Sequence, residues 1–150
     1  MRLLCDHMLG TLAKWLRFMG YDTAYPGPLD DTQLLAMARA EDRVLLTRDK
    51  ELASRSQDAI RVRSDNLEEQ IREVSSRLQL RVVDFLSRCS LCNTALVEAS
   101  PSEVGASVPE GVRERHSTFW RCPGCGKVYW QGSHWDRMVE RFNDLRLPTS

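Results

Sequence analysis

The chain has no excess of charge of either sign: 21 Lys and Arg residues balance 21 Asp and Glu residues in a sequence of 150. Such a protein is no general electrostatic sponge for nucleic acid, so contacts of that kind have to come from local patches. It also lacks a run of about 18 apolar residues, the length that a membrane-spanning helix needs. A secretory signal is missing as well, because Asp6 and His7 interrupt Met1 to Leu4 before an apolar segment can form. These absences argue against a membrane protein and make the cytoplasm the expected compartment. No G-x-x-x-x-G-K-[ST] or G-x-G-x-x-G loop offers a nucleotide cradle, and the H-x-E signature of a zinc deaminase is absent.

What is present is an ordinary globular composition, 42% hydrophobic and 28% charged, sufficient for one or two small domains. Aromatics are scarce at 7%, yet three of the four tryptophans fall after residue 87. Four of the five cysteines fall there too, as two Cys-x-x-Cys pairs. In a reducing compartment that pattern reads as metal binding rather than as a disulfide framework. The chain therefore divides into residues 1–86 and residues 87–150, the second part ending in a short amphipathic helix from Trp135 to Leu145.

Residues 1–86 alternate short apolar runs with helical patterns, the signature of a small parallel sheet flanked by helices. Arg2 to Cys5 reads as a first strand, and Leu9, Leu12, Leu16 and Met19 follow at helical spacing before Gly20, placed as a C′ glycine. Asp22 to Tyr25 is a weaker strand, Pro26-Gly27-Pro28 a loop, and a second helix opens at Asp30 or Asp31. Arg43 to Thr47 is the clearest buried strand. A short helix follows Asp49, then a strand from Ile60 to Arg63, then a helix from Asp65 or Asn66 carrying Leu67, Ile71, Val74 and Leu78. Arg81 to Leu86 reads as an edge strand or a linker, and Ala99 to Gly111, rich in Ser, Pro, Gly and Glu, as a long loop.

Asp6, Asp30, Asp31, Asp49 and Asp65 all fall just after predicted strands. In an open parallel sheet those positions share the C-terminal edge, where such folds place their sites. Clustered carboxylates repel one another unless a cation compensates them, and oxygen-only donors select hard cations such as Mg²⁺ or Mn²⁺. Completed by phosphate oxygens, such a cluster suits phosphodiester hydrolysis. Simpler roles compete: Asp30 with Gln33 and Asp65 with Glu68 have capping-box spacing, and Asp31 suits the positive end of a helix. Thr47 is placed to bond a carboxylate or a phosphate, and Lys14, Arg17, Arg48 and Lys50 to neutralise substrate phosphates. His7 reads as structural or exposed, and Cys5 as a small buried hydrophobe.

Cys89-Ser90-Leu91-Cys92 and Cys122-Pro123-Gly124-Cys125 are two knuckles separated by 29 residues. Together they complete the four-thiolate shell of a structural Zn²⁺. A redox dithiol is the weaker reading, since neither pair opens a thioredoxin-like helix. His116 and His134 are substitute ligands of low weight. Phe119-Trp120-Arg121 and Lys127-Val128-Tyr129-Trp130 interleave aromatic and basic residues, the pattern with which single-stranded nucleic acid is stacked and neutralised. The same aromatics, with Trp135, equally suit the core of a small zinc module.

Asp6 to Arg17, Asp30-Asp31, Leu45 to Asp49, Arg88-Cys89, Cys92, Cys122 to Gly126, Tyr129-Trp130 and Gly132 to Trp135, in that order, resemble the Mut7-C family, a branch of the PIN-like nucleases. The resemblance implies a PIN-like α/β domain followed by a Cys₄ zinc ribbon, with ribonuclease activity dependent on Mg²⁺ or Mn²⁺. By position it makes Asp6, Asp31 and Asp49 the acidic ligands, and Asp30 and Asp65 candidates for the remaining place. PIN nucleases commonly use an acidic residue near the middle helix, so Glu41 and Asp42 compete with Asp31. It further implies RNA as substrate, a ribosome or RNA-processing complex as partner, and homodimerisation. The reading is thus an endoribonuclease in which Trp120, Arg121, Lys127 and Trp130 of the ribbon help bind RNA. The rivals are a non-catalytic RNA- or ribosome-binding module and an adaptor for protein interaction.

Overall fold

The computed structural model describes residues 1–82 and 84–147. Four short apolar runs form a parallel sheet: β1 (Arg2–Cys5), β2 (Asp22–Ala24), β3 (Val44–Thr47) and β4 (Ile60–Arg61), in the order β2-β1-β3-β4. Leu3 lies opposite Thr23 on one side and Val44 on the other, so β1 and β3 are the central pair. Each strand leads into a helix: α1 (Gly10–Phe18) after a 3₁₀ turn at His7–Leu9, α2 (Asp31–Ala40), α3 (Lys50–Ser54) and α4 (Leu67–Leu78). The two-residue period of the strands sorts the helices. Leu3, Cys5 and Leu46 point toward α1 and α4, which contribute Leu12, Leu16, Ile71 and Val74 to the larger core. Leu4 and Leu45 point the other way, onto Leu34 and Leu35 of α2 and Leu52 of α3.

Helix ends follow local chemistry. After α1, Gly20 takes φ +104, and the Gly20 and Tyr21 N–H groups donate to the Arg17 and Leu16 carbonyls, closing the helix as the C′ glycine predicts. Asp30 caps α2 in the expected box with Gln33. The box expected at Asp65 and Glu68 is not formed, and the helix is capped one residue further on without a reciprocal bond. Asn66 is the cap of α4 and accepts from Glu69 N–H at 3.1 Å, which leaves Asp65 exposed outside the helix. The fourth strand is shorter than expected, and no strand in the span 81–86 joins the parallel sheet among the described residues; Val83 lies outside them.

The second part is an antiparallel sheet, β5 (Val97–Ala99), β6 (Phe119–Arg121) and β7 (Val128–Tyr129), in the order β5-β6-β7. The stretch expected to be a loop is folded: α5 (Pro101–Val104), a 3₁₀ turn at Gly105–Ser107 and α6 (Glu110–Arg115). Ser100 and Glu103 form a capping box with Pro101 at the first helical position, a start signal that the loop-like composition masks. Val104 and Val108 then pack on Phe119 in a small core of their own.

Helix α7 (Ser133–Leu145) returns to the first sheet layer. Phe142, 2% exposed, stacks on Phe18 with ring centroids 5.7 Å apart and meets Trp15 at 5.1 Å. No described helix is long and apolar enough to cross a membrane.

Two predictions follow from this packing. Phe142→Ala lowers unfolding free energy by about 3–5 kcal/mol in denaturant titration, because it empties a filled aromatic site. The second concerns Asp22 on the edge strand. Its carboxylate is raised by burial, but hydrogen bonds from Arg43 and Asn93 and the charges of Arg43 and Arg88 outweigh that and hold it at about 2. The folded value lies below the unfolded one, so this contribution, about 2 kcal/mol, is complete above pH ~4 and is lost as pH falls toward 2. Acid titration of the Asp22→Asn variant is expected to show a correspondingly flatter loss of stability over that window.

Candidate active site and metal centre

β1 and β3 are neighbours whose connections leave in opposite directions, β1 toward β2 and β3 toward β4. Their carboxyl ends therefore flank the crevice where open α/β sheets bind ligands. Asp6 and Asp49 stand there, one residue and two residues beyond their strands.

Asp6 is 4% exposed, and its N–H continues the ladder to the Leu46 carbonyl at 3.1 Å. Its Oδ1 accepts from Met8 N–H at 3.1 Å, and its Oδ2 accepts from the Thr47 hydroxyl. That hydroxyl in turn accepts from Asp49 N–H at 3.0 Å. Thr47 thus links the two carboxylate-bearing turns, one of the two roles expected of it. Asp49 caps α3, with Oδ1 accepting from Glu51 and Leu52 N–H groups at 2.8 and 3.1 Å, and its side chain faces solvent. Asp31 sits in the first turn of α2, 44% exposed, with Arg55 NH1 3.8 Å from its Oδ2. Asp30 is held as a helix cap and Asp65 is exposed beyond β4. The five aspartates share one edge of the sheet. No three carboxylates among the described residues bring their oxygens within 4.8 Å of one another. Glu41 and Asp42 lie at the opposite end of α2, where Glu41 pairs with Arg43 at 2.8 Å.

Cations frame this edge unevenly. Arg48 donates to the Arg63 carbonyl at 3.4 Å, and its Nε is buried without an acceptor among the described residues. Arg61, opposite Thr47 in the register, also has a buried Nε without an acceptor. Arg61 escaped the sequence reading because only strand pairing brings it beside Thr47. Arg17 has a different position from the one expected: it is 5% exposed, with Nε donating to the Thr23 carbonyl at 2.8 Å and NH1 to the Ser90 carbonyl at 2.9 Å. Burial pulls its pKa below the ordinary value, while the sulfurs of Cys5, Cys89 and Cys92 oppose that pull. Tyr25 is a further missed residue. Its hydroxyl donates to the His7 carbonyl at 2.8 Å, and a Cβ at Gly10 would meet that hydroxyl at 2.9 Å.

The four paired cysteines bring their Sγ atoms within 4.8 Å of one another. Both knuckles have the same backbone. Asn93 N–H donates to the Cys89 carbonyl and Gly126 N–H to the Cys122 carbonyl, at 2.9 and 2.8 Å, while Cys89 and Cys122 N–H groups donate to Thr94 and Lys127. Asn93 at φ +69 and Gly126 at φ +82 make the same left-handed turn. Hydrogen bonds from Thr94 hold the Cys92 thiol down at about 6, and Tyr129 Oη lies 3.1 Å from Cys89 Sγ as an outer-shell partner. Four soft donors converging from two turns fit a closed structural Zn²⁺ site. His116 packs edge-on against Phe119, outside this cluster. Cys5 is wholly buried, and burial pushes its thiol far up, as befits a core residue.

The aromatic and basic residues of the ribbon part company. Trp120 packs against the larger core, Arg121 is exposed, and Lys127 and Trp130 line a cavity between the two parts, together with Lys14 of α1.

A comparison with protein families matches residues 1–142 to the Mut7-C RNAse domain. The chain belongs to the Mut7-C RNase domain family. Among curated proteins, the exonuclease mut-7 homolog of Homo sapiens is similar, 24% identical over 225 aligned positions that cover 96% of this chain and 26% of that protein. The chain thus spans about a quarter of that relative. No solved structure matches. Membership in the Mut7-C family makes ribonuclease function the coarse assignment, and the parallel sheet followed by a four-cysteine ribbon is the architecture in which it is carried.

The metal centre makes its own prediction. The purified Mut7-C domain is expected to hold about one zinc per chain by elemental analysis. Cys122→Ser is expected to lose it, and strong chelators are expected to lower the thermal midpoint, because metal binding and folding of such a module are coupled.

Proposed function

We propose that this chain is a metal-dependent endoribonuclease whose site is the acidic edge at Asp6, Asp31 and Asp49, with Asp30 and Asp65 flanking it. One observation carries the reading: a carboxylate buried at a strand end, Asp6, is tied through Thr47 to the turn of a second, Asp49, at the switch point of the sheet. Burying a charged carboxylate is costly, and placing it beside a second carboxylate adds repulsion that a cation relieves. The donors are all oxygen, which fits Mg²⁺ or Mn²⁺. Such an ion, when bound, supplies activation of water and neutralisation of charge at the scissile phosphate.

The chain's own groups do the rest. Thr47 keeps Asp6 and the Asp49 turn in register, so the two carboxylates present a fixed face to the substrate. Arg48, just beyond β3, and Arg61, on β4, are the cations for the phosphates on either side of the cut. Residues 1–86 form the catalytic unit in this reading, and residues 87–150 the zinc-bearing unit that helps hold RNA. Family membership supports ribonuclease chemistry, and the relative's printed name adds exonuclease as the mode that the test has to distinguish.

The test is cleavage of circular and linear single-stranded RNA, with single-stranded DNA alongside, in Mg²⁺ or Mn²⁺. Wild type is expected to open circular RNA, while Asp6→Asn and Asp49→Asn lose cleavage and keep their zinc. Cleavage restricted to free ends would replace endonuclease by exonuclease. RNA binding with no cleavage under any metal would sink the catalytic reading in favour of a binding module.

A further inference from the structure

Between the two parts of the molecule lies a cavity of about 530 Å³, walled by α1, the first cysteine knuckle, β7 and the start of α7. Its walls include three of the four tryptophans, Trp15, Trp130 and Trp135, and the ring of Tyr129. Its charged residues are Lys14 and Lys127, both exposed, and no carboxylate among the described residues lines it. In a chain with as many acids as bases, that is a local excess of one sign. Lys127 Nζ already sits 5.1 Å from the centre of the Tyr129 ring. Trp135 Nε1 has no acceptor among the described residues, and α7 begins at Gly132 without a side-chain cap.

We infer that this cavity receives an unpaired nucleotide of single-stranded RNA, its base among the tryptophans and its phosphate between Lys14 and Lys127. The chemistry selects the occupant. A purely apolar ligand has no use for two lysines, and an acidic peptide has little use for four aromatic rings. A nucleobase with its phosphate uses both, since every base offers a face for stacking and every linkage an anion. The size suits it, being within the range of small-ligand pockets.

Position supports the same occupant, and here the inference rests on the proposed RNA reading. α1 starts at Gly10, beside the turn that carries Asp6, and Lys14 lies one helical turn further along, about 6 Å. A strand that crosses the acidic edge and follows α1 therefore arrives at the mouth of the cavity. α1 thus leads from the turn of Asp6 to the cavity, whose wall it supplies with Lys14, Trp15 and Phe18.

The experiment uses the full chain in the Asp49→Asn background, where cleavage does not confuse binding. Short single-stranded oligoadenylate, duplex RNA of the same length and adenosine monophosphate are titrated while tryptophan emission is recorded. Single-stranded oligoadenylate is expected to quench the emission. The Lys14→Glu/Lys127→Glu double variant is expected to bind about tenfold or more weakly and to lose about 1.4 from the slope of log affinity against log salt. Leu91→Glu, at the rim and 53% exposed, is a second variant that leaves the core intact and is expected to weaken binding as well. Zinc content and circular dichroism confirm that each variant is folded.

Unchanged affinity in both rim variants, or binding without quenching, would overturn the inference. Equal affinity for adenosine monophosphate would overturn the RNA source and make a free nucleotide the ligand. The two readings fail separately. Unchanged binding by the lysine variant, together with intact cleavage when the same two substitutions are placed in the chain with Asp49 restored, removes the cavity and leaves the nuclease. Binding through the cavity by a wild type that cuts nothing removes the nuclease and leaves the cavity.

Discussion

The relation between the two parts of this molecule depends on one polar contact, the docking of the first cysteine knuckle onto the edge strand β2. Asn93 Oδ1 accepts from Thr23 N–H at 2.9 Å and its Nδ2 donates to Asp22 at 2.6 Å, so a side-chain amide takes the place of a neighbouring strand. Arg17 reaches from α1 to the Ser90 carbonyl inside the same knuckle, and Arg88 joins Asp22 at 3.9 Å. An exposed sheet edge invites pairing with other chains, and here that edge is partly covered. The left-handed backbone of Asn93 serves both tasks at once: it closes the metal knuckle and aims the amide at β2.

With the ribbon held there, α7 has one apolar surface to cover, and it covers α1. Phe142, Phe85 and Trp135 then complete an aromatic cluster begun by Trp15 and Phe18. A small zinc module has little core of its own, and this one draws on its neighbour for Trp120, Tyr129 and Trp135 while keeping Phe119 and Trp130 for an inner core. The cavity between the parts is the gap left where the shared aromatics stop interlocking.

The acidic edge follows a different logic. Sheet topology puts β1 beside β3, and that adjacency alone makes neighbours of Asp6 and Asp49, which are 43 residues apart. Thr47 then couples them through one hydroxyl that both donates and accepts. Asp31 stays further out, engaged with Arg55, so of Asp6, Asp31 and Asp49 one is buried and two are accessible. That gradient of burial distinguishes residues that sequence spacing treats alike.

Much of this was legible before any coordinates. Strand and helix order, the C′ glycine at Gly20, the box at Asp30 and the four-cysteine cluster are local or motif-borne, and local patterns are set by the period of the chain and the demands of turns. Motif order was enough to indicate the Mut7-C family. The errors were local conflicts as well: the loop-like composition from Ala99 to Gly111 hid a capping box at Ser100, and Asn66 outcompeted Asp65 as a cap. What the sequence alone determined is therefore most of the order of elements and the four-cysteine cluster. Tertiary structure decided which cations are spent inside, as Arg17 is, and which keep a guanidinium nitrogen without an acceptor among the described residues, as Arg61 does. It also decided which core aromatics wall a cavity as well, because that depends on contacts between residues far apart in the chain, and no local period records those.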